Sequence, residues 1–162
     1  MSQSSTPPPI ARRPTGNWLV LGSVWCLAMA MVLPVAKIGV DWPAGWQVFV
    51  MAMLGAPSIF IAPSDNYVLA CFSASIGYVL LIVAWLVTLA KTVRRSADDG
   101  GHVRFGLAIG AGMTFGFALL PLVDAGLLRG VHLGLVFLLA APTVLAIGIR
   151  KRSAIGPPQE PG

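Results

Sequence analysis

Residues 45–63 read GWQVFVMAMLGAPSIFIAP, and the number of membrane crossings turns on them. The stretch is apolar, but Gly55, Pro57 and Pro63 interrupt it. Its unbroken part, residues 46–54, is nine residues long. A helix rising 1.5 Å per residue needs about 20 residues to cross a hydrocarbon core of ~30 Å. Residues 45–62 are therefore expected to lie at the interface or to dip in as a re-entrant piece. Before them, Lys37, Asp41, Trp42 and Pro43 read as an interfacial turn, with Trp42 and Trp46 as belt aromatics. After them, Ser64, Asp65 and Asn66 make a polar turn.

Working outward, residues 67–90 run YVLACFSASIGYVLLIVAWLVTLA, twenty-four residues without a charge. This is long enough to span with some tilt. Lys91, Arg94 and Arg95 stop it, and the polar loop that follows has a flexible turn at Gly100 and Gly101. Two more apolar runs, 105–123 and 131–149, flank a short connection from Asp124 to Arg129. On the N-terminal side a run covers about 18–36. Ala28 and Ala30 there form the small-residue pattern of a signal-peptidase site. The apolar run continues past them to Val35, so a retained anchor is expected, with Pro34 ending or kinking it. The tails, 1–16 and 151–162, are rich in Pro, Gly and polar residues and are expected to be disordered.

Composition agrees. Of 162 residues 56% are hydrophobic and 10% charged, where an average soluble chain is roughly 25% charged. Mean hydropathy is +0.80. The bilayer is the expected solvent and first partner. The net charge of +5 comes from basic residues at the ends of apolar runs, with no aromatic-interleaved basic stretch, so nucleic acid is not an expected partner.

Charge also tests the span count. With four spans, one side holds Arg12, Arg13, Lys91, Arg94, Arg95, Arg104, Arg150, Lys151 and Arg152, and the other only Lys37 and Arg129. A fifth span over 45–62 would split the basic clusters across both sides, against the positive-inside bias. The expected fold is thus all-α: an integral membrane four-helix bundle with a short interfacial or re-entrant segment between the first and second spans. Both termini are expected in the cytoplasm of a bacterial inner membrane.

Glycines four apart place small residues on one helix face, which lets backbones approach closely. Gly106 and Gly110, Gly112 and Gly116, and Gly130 and Gly134 have this spacing. Such faces serve an oligomer interface or packing within the bundle; the second reading is favoured. Ser73, Ser75, Thr88 and Thr114 are expected to bond back to carbonyls of their own helices. Cys26 and Cys71 lie in apolar runs, without a CxxC spacing, and read as small core side chains.

Chemistry-bearing residues are few. The spans carry almost no charge, and His132 is the one titratable residue read inside a span. Intramembrane charges usually mark ion or proton paths. The external side gathers Asp41, Asp65, Asp124, Arg129 and His132, which would form a shallow polar site roofed by Trp42 and Trp46. No phosphate-binding, zinc-protease or nucleophile-elbow motif occurs, and neither a cofactor nor a metal is expected. The reading is a non-enzymatic protein that acts through a membrane-protein partner, as an accessory subunit or an immunity-type protector. The alternative is a homo-oligomeric transporter or channel with the external polar site at its mouth.

Overall fold

In α3 (Asn66–Arg94) the buried residues Ala70, Ala74, Gly77, Leu81, Ala84 and Thr88 fall at alternating intervals of four and three. The same rhythm runs through α4 (Gly101–Asp124) at Arg104, Ala108, Ala111, Phe115, Ala118 and Leu122. It recurs in α5 (Leu133–Ser153) at Leu135, Leu138, Pro142, Leu145 and Ile149. A 3.5-residue average repeat keeps one seam facing a neighbour along the whole helix. Small residues along these seams let the helices pack closely. This computed structural model describes residues 16–38, 40–94 and 101–153. Most of the two tails, and Arg95 to Gly100, thus lie outside the described residues; residues 151–153 continue α5.

The helices pack in the order α1 (Gly16–Val32), α5, α4, α3, each against the next. Neighbours run antiparallel: Gly77 faces Thr114 and Phe115 while Gly110 faces Leu80, and Gly112 faces Pro142. The remaining side, between α1 and α3, is filled by α2 (Gly45–Gly55) and a 3-10 turn at Ala56–Phe60. That helix packs on α3 and also touches α1 and α5. Phe49 anchors it, edge-on to Tyr78 at 5.0 Å, and Tyr78 in turn meets Phe115 at 4.9 Å. The segment expected at the interface is therefore a helix wedged into the bundle by an aromatic trio.

Among the described residues the molecule is helical apart from two short strands and the turns that join the elements. β1 (Ala36–Ile38) and β2 (Leu128–Val131) pair antiparallel and join the α1–α2 connection to the α4–α5 connection. This changes two expected boundaries. Helix α1 ends at Val32 rather than near 36, because Pro34 has no N–H to donate and biases Leu33 against helix. Helix α5 begins at Leu133 rather than 131, because Val131 belongs to the ladder. The freed carbonyls at the end of α1 find partners. Leu33 O accepts from Gly45 N (3.2 Å), Pro34 O from Gly134 N (3.0 Å) and Val35 O from His132 N (3.0 Å). Helix α4 closes with a Schellman turn: Leu127 N donates to Leu122 O and Gly126 N to Val123 O, both 2.9 Å, with Gly126 at φ 64°.

Among the described residues three helices are long and apolar enough to cross a membrane: Asn66–Lys91, Gly101–Asp124 and Leu133–Ser153. Helix α1 is shorter, at 17 residues. The bundle has two unlike ends. The ladder end carries both strands and α2. The basic end carries Lys91, Arg104, Arg150, Lys151 and Arg152.

Candidate functional site

At the ladder end a hollow of about 650 Å³ is lined by Asp41, Trp42, Trp46, Gln47, Met51 and Tyr67. Local structure fixes its rim. Ile38 and Asp41 exchange backbone hydrogen bonds across a tight turn, which presents Asp41. Gln47 Oε1 accepts from Ala44 N at 2.8 Å and so caps the start of α2. Trp42 lies over Gly130 of β2, where an added Cβ would meet its Cη2 at 3.4 Å. The His132 ring meets Trp42 edge-on at 5.8 Å, and Lys37 Nζ sits 5.8 Å from its centroid. Asp41 gives the hollow one carboxylate, and the Trp42 ring beside it already has the Lys37 ammonium over it.

The structure distributes the five external polar residues rather than gathering them. Asp41 lines this hollow, while Asp124 lines a separate one beside Asn66 and Pro121. Asp65 is the N-cap of α3: its Oδ1 accepts from Tyr67 N (2.8 Å) and Val68 N (3.2 Å). Arg129 is exposed on β2. His132 is half-buried under Trp42, and its buried Nδ1 has no hydrogen-bond partner. Beneath the ladder lies an apolar slot of about 60 Å³, bordered by Ala52, Cys71, Ala74, Tyr78, Phe115 and Leu122. The Tyr78 hydroxyl, though buried, has no hydrogen-bond partner. Cys26 and Cys71 are both free thiols. Among the described residues no group of three His, Cys, Asp or Glu could hold a metal ion.

Sequence reasoning missed Arg104. The sequence counts it only among the basic residues of one side, ahead of the run 105–123, but α4 starts at Gly101 and Arg104 is 1% exposed. The signal was present: Arg104 is the first position of the four-and-three seam that continues at Ala108.

The glycines divide by surroundings. An added Cβ on Gly110 would meet Leu80 at 3.4 Å, and one on Gly112 would meet Pro142 at 3.6 Å, both ordinary packing inside the bundle. Gly134 touches the backbone of Leu33 and Pro34. Gly106 and Gly116 have nothing within 4 Å. Four closer approaches went unread: Gly45 against Ala30, Gly55 against Cys71, Gly77 against Thr114 and Phe115, and Gly101 against Ser153. Gly77 was legible from the small-residue seam of α3. The face of α4 away from the seam is open: Met113, Phe117, Leu120 and Val123 are each more than half exposed. In its most apolar stretch 28% of α4 is buried, against 50% for α3 and α5. Thr88 Oγ1 bonds back to Ala84 O (2.7 Å), Ser75 Oγ to Phe72 O (2.8 Å) and Thr114 Oγ1 to Ala111 O (3.0 Å).

Comparison with known proteins finds no matching family model, no matching curated protein and no matching solved structure.

Proposed function

We propose that the protein is a four-span component of a bacterial inner membrane that acts without catalysis, by holding another membrane protein against α4. The observation that carries this reading is the open face of α4, apolar along its length and notched at Gly106 and Gly116. Close backbone approach at such notches gains van der Waals contact that lipid chains replace poorly. The fourth span is α1. Seventeen residues make a helix of ~25 Å, and it runs beside α5 from the Gly134–Pro34 contact to Gly22 against Val144. The basic end is assigned to the cytoplasm by the positive-inside rule, and both termini with it.

The test is affinity purification in mild detergent with mass spectrometry of co-eluting proteins. A stoichiometric foreign membrane protein is expected. Gly106→Leu and Gly116→Leu should each strip it while leaving the bundle folded, since neither glycine has a neighbour to displace. A lone chain, or a homo-oligomer with no second protein, overturns the proposal; the homo-oligomer would favour transport.

A further inference from the structure

At the basic end a groove of about 480 Å³ runs between α4 and α5. Phe105 and Ile109 form one wall, and Thr143, Ala146 and Ile147 the other; Arg150 and Lys151 close its mouth. The Thr143 hydroxyl is turned back onto Leu139 O at 3.0 Å, so that wall is effectively apolar. From Thr143 to Arg150 is seven residues of helix, a depth of ~10 Å. Ile109 and Ile147 are 41% and 46% exposed, so the groove opens sideways, where lipid would lie.

We infer that this groove holds an anionic phospholipid, with its phosphate at Arg150 and Lys151 and an acyl chain along Ile109 and Ile147. Charge complementarity selects the occupant. Two cations stand at the membrane-surface end of an apolar channel, and the lining contributes no carboxylate. The guanidinium offers a phosphate two parallel N–H donors, and the ammonium adds a point charge. A zwitterionic lipid brings its own cation to the mouth and loses part of that attraction. The groove adjoins the α4 face assigned to a partner: Ile109 lies one helical turn from Gly106 and two turns from Gly116, while Met113, Phe117 and Leu120 lie farther round the helix.

The test uses the detergent-purified full chain, titrated with micelles containing phosphatidylglycerol or phosphatidylcholine and read by native mass spectrometry. Basic residues near a membrane surface are each worth roughly fivefold in affinity for anionic lipid, so a preference of roughly 25-fold for phosphatidylglycerol is expected. Arg150→Gln with Lys151→Gln should remove the preference, and Lys91→Gln, on α3 at the same end, should keep it. Ile109→Trp, which fills the groove and keeps both charges, should lower lipid retention as well. Glycerol 3-phosphate, which has no chains, should not compete. Equal binding of the two lipids, an equal loss from Lys91→Gln, full retention by Ile109→Trp, or competition by glycerol 3-phosphate would each overturn the assignment.

Discussion

Replacing Gly134 with alanine should loosen the ladder end, whereas the same change at Gly116 should stabilise α4. A Cβ on Gly134 would press on Pro34 O and lie 2.7 Å from Leu33 O and 2.8 Å from Pro34 C. All three are backbone atoms, which have no rotamer to change. Relief requires the first turn of α5 to move away from residues 33–35. That motion gives up the hydrogen bonds from Gly134 N to Pro34 O and from His132 N to Val35 O. Each is worth about 1 kcal/mol net. The gain from replacing a helical glycine by alanine is at most ~1 kcal/mol. Gly134→Ala should therefore cost about 1–2 kcal/mol. At Gly116 nothing lies within 4 Å, so only the gain remains. The assay is unfolding in mixed micelles of rising dodecyl sulfate content, followed by tryptophan fluorescence. A Gly134→Ala protein as stable as wild type, or a Gly116→Ala protein less stable, would refute this account of the glycines.

Tyr78→Phe keeps both ring contacts and removes a buried hydroxyl that has no hydrogen-bond partner. It should raise stability by ~1 kcal/mol in the same assay, and a loss would mean that the hydroxyl is bonded. Asp65→Ala removes the cap of α3 and should cost ~1 kcal/mol, while Asp65→Asn, which keeps an acceptor, should stay near wild type. Equal losses in the two variants would show that charge, rather than capping, matters there. Phe49→Ala deletes the anchor of α2 and should cost ~3 kcal/mol. Cys71 packs against Gly55 at the far end of α2 and is 6% exposed. Its maleimide labelling should speed up in that variant; an unchanged rate would show that α2 stays seated without Phe49.

Much of the helical framework could be read directly. Residues 67–90 carry no charge, so a helix long and apolar enough to cross a membrane follows from composition. The interior of the bundle was harder to read. Arg104 carries two contradictory signals, a charge that suits an interface and a seam position that points inward, and the seam prevailed. Spacing alone joined Gly106 to Gly110, yet Gly110 meets Leu80 while Gly106 meets nothing. A four-residue interval states that two residues share a face, but not what lies opposite. The ladder between β1 and β2 left no mark, because strands of three and four residues are too short for alternation to register. The sequence groups the external polar residues because the four-span reading puts all of them on one side of the membrane. Asp65 has a local task at the start of α3, and Asp41 and Asp124 sit on connections that the ladder and α2 hold apart.

The closure of α1 against α5 also orders events during synthesis. Pro34 and its donor Gly134 are one hundred residues apart in the chain. A ribosome adding 5–20 residues per second needs roughly 5–20 s to make that interval. Throughout it the first helix is already made, with the carbonyls of Pro34 and Val35 waiting for donors that only Gly134 and His132 bring. The N-terminal helix is thus an early arrival that finds its principal neighbour last. Truncation anywhere before Leu133 leaves it without that neighbour.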